Sequence, residues 1–195
     1  MKVNLATSFT ILRLILVPII IFVLLTNIIS TSVSINGQYI EIKYFIAAII
    51  FVVGSLTDFV DGFIARKYNQ VTDLGKFLDP IADKLLVNST VIVLIYSGLI
   101  SPIVGIIFIG RDTIVDVIRM IVSAKGEVVA ASKYGKLKTV FQMVGITMVL
   151  LYNIPFENFG IPVATILIYI AVFFSVFSGI DYYYLNKKYI FEEIK

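Results

Sequence analysis

Four aspartates, Asp58, Asp61, Asp79 and Asp83, are the residues of this chain best placed to do chemistry. Asp58 and Asp61 are three apart and Asp79 and Asp83 four apart, so each pair shares one face of a helix. The runs that carry them are apolar, and an ionisable side chain facing lipid costs about 2.5–3.5 kcal/mol. They must therefore face an interior, hydrated cavity. Four carboxylates converging in a low-dielectric site repel one another unless a multivalent cation or protons compensate them. Carboxylate oxygens are hard donors, so the expected occupant is Mg²⁺ or Mn²⁺, as a pair of ions about 3.5–4 Å apart. Lys84, Arg111, Asp112, Asp116 and Arg119 also fall inside apolar runs, with Arg13 at the margin of another. Asp112, Asp116 and Arg119 lie on one stripe, where Arg119 could neutralise Asp116 as a plain structural salt bridge.

The residues that are missing narrow the reaction further. With no Cys and no His, the chain has no disulfide, thiolate nucleophile, His-based triad or Cys/His zinc site. Of 195 residues, 59% are hydrophobic and 15% charged, with mean hydropathy +0.99. A soluble domain is about 45–50% apolar and about 25% charged. The excess apolar surface calls for lipid, and at about 20 residues per span there is room for roughly six helices. The expectation is an all-α integral membrane protein forming one domain over residues 1–195. A net charge of +3 is too small to point to nucleic acid.

Apolar runs and their breakers place the spans at about 9–29, 43–65, 77–97, 102–125, 136–153 and 160–185. A short surface segment is expected over 4–8. The stretch Ser30 to Ile42 reads as a polar loop, and 97–102 and 154–160 as tight turns. Eleven bases, Lys2, Arg66, Lys67, Lys76, Lys125, Lys133, Lys136, Lys138, Lys187, Lys188 and Lys195, fall on one side and Lys43 alone on the other. By the positive-inside rule, both termini are cytoplasmic. The first run is too long and too interrupted, by Arg13 and Pro18, to be a cleavable signal peptide. Tyr182-Tyr183-Tyr184 reads as an interfacial aromatic belt, and Asp181 has no evident role.

The run Asp58-Phe-Val-Asp61-Gly62-Phe-Ile-Ala65-Arg66, followed after eight residues by Gly75-Lys-Phe-Leu-Asp79-Pro-Ile-Ala-Asp83, resembles the signature of the CDP-alcohol phosphatidyltransferase family at every defining position. Fixed spacing across two apolar spans makes this a strong signal. The resemblance implies a multi-pass enzyme of the cell membrane, working as a homodimer among membrane lipids, that displaces CMP from a CDP-linked lipid by attack of an alcohol. It implies that Asp58, Asp61, Asp79 and Asp83 hold the metal and that Asp83 is also the general base. Asp58, Gly62, Ala65 and Arg66 would meet the nucleotide and its diphosphate. Small residues explained by helix packing, and an arginine anchoring a helix end, account for Gly62, Ala65 and Arg66 equally well.

Within that family, the phosphatidylglycerophosphate-forming members, which take CDP-diacylglycerol and glycerol 3-phosphate, are similar to this chain in three further places. These are Thr10-Ile-Leu-Arg13, then Gly110-Arg111-Asp112 with Arg119, and Gly135-Lys136-Leu-Lys138-Thr139-Val-Phe-Gln142. A phosphorylated acceptor needs cations for its dianion. Thr10, Arg13, Arg111, Arg119, Lys136 and Lys138 are the candidates. Inositol phosphate and phosphatidylglycerol are also anionic, and Arg111 could pair with Asp112 or Asp116 instead. From another class, a divalent-cation or proton-coupled transporter also builds on intramembrane carboxylates. It would distribute them along a path across the bilayer.

Overall fold

Six apolar runs, broken by glycine, proline or charge clusters, become six helices in the computed structural model. It describes residues 5–26, 28, 31–35, 38–67, 73–127 and 132–191, with side chains for all of these but 5–7, 35, 38, 58–67 and 73–77. The helices are α1 (Leu5–Leu25), α2 (Ile42–Lys67), α3 (Asp73–Tyr96), α4 (Pro102–Ala124), α5 (Lys133–Leu150) and α6 (Val163–Phe191), with a 3-10 turn at Phe156–Phe159. The fold is all-α but for one small hairpin. Most helices run past the expected bounds at the charged end. Apolarity marks the lipid-length part of a helix, while backbone hydrogen bonding continues into polar residues. Leu5–Ser8, expected as a surface segment, is the first turn of α1.

The stretch read as a polar loop is instead a β-hairpin. Strands β1 (Ser32–Ile35) and β2 (Gln38–Glu41) pair antiparallel, Ser32 opposite Glu41 and Ile35 opposite Gln38. Alternation of Ser and Val/Ile, with Asn36-Gly37 between the strands, is a strong hairpin signal, and the low apolarity of the stretch concealed it. The other connection at this end is organised by Asn153. Its side-chain amide donates to Glu157 Oε2 at 3.0 Å and to the Ile161 carbonyl at 2.8 Å, and its Oδ1 accepts from the Ala164 N–H at 2.9 Å.

Helix α1 packs on α2 and α3, α4 on α6, and α5 lies along α6. Ile20, Phe51, Leu86, Leu94, Phe108, Ile146 and Leu150 fill the main core. A Cβ at Gly145 would stand 3.2 Å from the backbone nitrogen of Ile168, so the missing side chain lets α5 and α6 close up. Polarity is inverted relative to a soluble bundle. Ile106 and Phe173 are 71% and 63% exposed, whereas Thr10, Arg13, Ser175 and Ser178 are fully enclosed. Among the described residues two helices, over Ser8–Leu25 and Val163–Phe191, are long and apolar enough to cross a membrane. The rest carry the charges of the site.

Candidate active site

On the acidic side, α3 presents Asp79 and Asp83 one turn apart on one face. Helix α1 supports them, because the Thr10 hydroxyl donates to Asp79 Oδ1. Asp58, Asp61, Gly62, Ala65 and Arg66 are on the last part of α2, and their side chains lie outside the described residues. Among the described residues no three metal-ligating side chains stand together. Asp79 and Asp83 nonetheless offer hard oxygens on one rigid face, a donor set that fits a divalent cation.

Thr10 and Arg13 stand apart from the other four acceptor candidates. Thr10 holds an aspartate, and Arg13, one turn along α1, is completely enclosed. Neither lines the basic cavity described next. The first helix packs on α3 and α2, the helices that carry the four aspartates.

The basic side is a cavity of about 250 Å³ walled by α3, α4, α5 and α6, which brings Arg111, Arg119, Lys136 and Lys138 together with Asp83 and Lys84. Among the described residues, five cations line it against two carboxylates, Asp83 and Asp112. Asp112 is the hub. Lys138 Nζ donates to its two oxygens at 2.9 and 2.8 Å, and Arg111 Nη1 donates to Oδ1 at 3.0 Å. Arg111 Nη2 also donates to Ser178 Oγ at 2.8 Å. Its side chain runs between two glycines: a Cβ at Gly179 would meet Arg111 Cγ at 3.2 Å, and one at Gly135 would meet Nη2 at 3.3 Å.

The Asp116–Arg119 salt bridge that the shared stripe would allow is absent among the described residues. Asp116 accepts from Lys84 of α3, and the Arg119 guanidinium donates to the Tyr182 hydroxyl at 2.9 Å. Sharing one helix stripe brings two side chains near each other, but partners on facing helices win here. Tyr182 also departs from the aromatic-belt reading. It is 2% exposed and turned inward, while Tyr183 and Tyr184 are exposed at 41% and 63%, as a belt would be. Asp181 Oδ2 accepts from Ser132 Oγ at 2.9 Å, tying α6 to the start of α5. The signal for this face was readable. Ser175, Ser178, Tyr182 and Asn186 repeat at helical spacing on a mostly apolar helix, and all four are buried.

A smaller cavity of about 30 Å³ adjoins Asp83, Asp112 and Lys138, about the volume share of one water. Asn88 Oδ1 and Gln142 Nε2 are buried on its wall with no hydrogen-bond partner among the described residues.

A helical membrane-type bundle that sets carboxylates beside a cation-lined cavity is suited to handling phosphate esters of lipids. The chain belongs to the CDP-alcohol phosphatidyltransferase family, whose model matches residues 3–177. It is similar to three proteins named CDP-diacylglycerol–glycerol-3-phosphate 3-phosphatidyltransferase. That of Bacillus subtilis (strain 168) is 39% identical, over 94% of this chain and 95% of that protein. That of Rickettsia felis is 34% identical over 95% and 97%, and that of Haemophilus influenzae 32% over the whole of both. Family membership and the two apolar helices both point to a membrane protein.

Proposed function

We propose that the chain transfers the phosphatidyl group of CDP-diacylglycerol to glycerol 3-phosphate, giving phosphatidylglycerophosphate and CMP. The observation that carries the reading is that Asp83 lines the same cavity as Arg111, Arg119, Lys136 and Lys138. A base and an anion clamp share one chamber. The names of the three relatives support the same donor and acceptor.

In this mechanism the acceptor's phosphate lies against Arg111, Arg119 and Lys136, with Lys138 contributing field from its pair with Asp112. That placement turns the acceptor hydroxyl toward Asp83. The hydroxyl oxygen forms a bond to the lipid-side phosphorus, its proton passes to Asp83, and the bond to CMP breaks. An aspartate is a weak base for an alcohol, but the proton is released only as the transition state develops. Asp58, Asp61, Asp79 and Asp83 would hold Mg²⁺ or Mn²⁺, two ions in this reading. Bound there, the metal neutralises the diphosphate and stabilises the leaving nucleotide. Thr10 orients Asp79 for that role, and Asp58, Gly62, Ala65 and Arg66 meet the nucleotide and diphosphate.

The membrane arrangement proposed is six spans with both termini and the site at the cytoplasmic face, in a homodimer carried over from the family resemblance. The donor's acyl chains then stay in the bilayer while its headgroup reaches the aspartates laterally. Transport is disfavoured, because the helix segments 42–57, 88–96, 102–110, 139–150 and 163–177 contain no Asp or Glu. The carboxylates form no path across the bundle.

The test is CMP release by purified protein given CDP-diacylglycerol and Mg²⁺ or Mn²⁺ with glycerol 3-phosphate, inositol phosphate, serine or phosphatidylglycerol in separate reactions. Release with glycerol 3-phosphate alone is expected. No release, or equal release with all four, refutes the assignment. Asp83→Asn should lower kcat about 10³-fold while CDP-diacylglycerol still binds, and retained turnover would remove Asp83 from the base role.

A further inference from the structure

The ring of Tyr182 carries two guanidiniums. The Arg111 carbon centre is 5.7 Å from its centroid and that of Arg119 is 5.4 Å. Two like charges on one ring repel, and the negative π face offsets part of that cost. The rest is relieved when an anion enters between them. The hydroxyl is equally committed, since it accepts from Arg119 Nη2 at 2.9 Å and from the Ser132 backbone N–H at 3.2 Å. A phenol has one proton to donate. Among the described residues no acceptor takes that proton, and Tyr182 lines the basic cavity.

We propose that Tyr182 is a binding residue for the acceptor's phosphate: its ring carries Arg111 and Arg119 together, and its hydroxyl donates a hydrogen bond to the same phosphate. The inference rests on the reading of this cavity as the acceptor site. It extends that site to a residue beyond the segment matched by the family model, which ends at 177. The step from Ser178 to Tyr182 is one helical turn, so a single face of α6 supplies both a hydroxyl acceptor for Arg111 and the seat for Arg119.

Tyr182→Phe keeps the ring and its packing against Val115, Ile118 and Val122 and removes only the hydroxyl. A hydrogen bond to a charged group is worth enough that the KM for glycerol 3-phosphate should rise about tenfold. The KM for CDP-diacylglycerol should move less than about twofold. Tyr182→Leu, which also removes the ring, should raise the acceptor KM about a hundredfold. If the leucine variant does not fold, the phenylalanine variant decides alone. An unchanged acceptor KM in Tyr182→Phe, or equal rises in both KM values as from a loosened fold, overturns the proposal. Wild-type protein that releases no CMP with glycerol 3-phosphate would refute the acceptor reading rather than this one. Calorimetric binding of inorganic phosphate then tests Tyr182 separately. Weaker binding by the phenylalanine variant sustains the phosphate role, and equal binding ends it.

Discussion

The acidic and basic sides of the site solve opposite electrostatic problems. On the acidic side, carboxylates come in pairs three and four residues apart on single helices, a spacing that puts like charges on one face. On the basic side, the cations are already partly neutralised. Asp112 holds both Arg111 and Lys138, Asp116 holds Lys84, and Ser178 and Tyr182 seat the two arginines. In the proposed mechanism, one side would have its repulsion relieved by a metal. The other keeps a moderated positive surplus, suited to the phosphate of the proposed acceptor. The pairing of Lys84 with Asp116 links the two, since Lys84 follows Asp83 on α3 and Asp116 is on α4.

The largest break in that comparison should come from Asp112→Asn. The side chains of Asp112, Arg111 and Lys138 are 13%, 14% and 6% exposed. Loss of the carboxylate leaves two nearly buried cations facing each other, at a cost of about 3 kcal/mol of stability. The unfolding temperature in detergent should fall accordingly. Inorganic phosphate should restore it more in the variant than in wild type, because an anion that binds the folded state replaces the missing charge. An equal phosphate response in both proteins would show that Asp112 does not moderate the clamp.

This difference between the two sides also decides what could be read in the chain. The aspartates stand out in the chain because they are spaced three, four and about twenty residues apart within one motif. The six helices were legible because apolar runs ended at Gly98, Pro102, Gly126 and Pro155. Asp112 was read as one member of a stripe, yet its partner Lys138 is 26 residues distant on another helix. Nothing in local spacing distinguishes Asp112 with Lys138 from Asp116 with Arg119. Tyr182 was lost in a run of three tyrosines of which only one turns inward, although its alignment with Ser175 and Ser178 marked the face. Thr10 and Arg13 stand out through a motif, which names residues, whereas the contact of Thr10 with Asp79 arises from helix packing that local spacing does not encode.

A smaller effect should sharpen the division from the acidic side. Thr10→Val preserves shape and removes the hydrogen bond to Asp79, worth about 1.5 kcal/mol when the acceptor is charged. The Mg²⁺ concentration for half-maximal rate should rise about tenfold, with the KM for glycerol 3-phosphate unchanged. A titration in which the acceptor KM rises instead would return Thr10 to the acceptor site and dissolve the assignment of α1 to the acidic side.

The mildest test approaches from the basic side through Gly179→Ala. The new Cβ would stand 3.2 Å from Arg111 Cγ, so the arginine must shift by a few tenths of an ångström. Its Cγ is part of a flexible stem, which keeps the cost below about 1 kcal/mol. The guanidinium, however, is held at its far end by Asp112 and Ser178, so the displacement tilts the donor fork instead of dissipating along the side chain. The acceptor KM should rise about threefold, with the half-saturating Mg²⁺ concentration unmoved. If that concentration rises in step with the acceptor KM, strain at Arg111 is reaching Asp83 through Asp112 and Lys138, which line the same cavity, and the two sides act as one electrostatic unit.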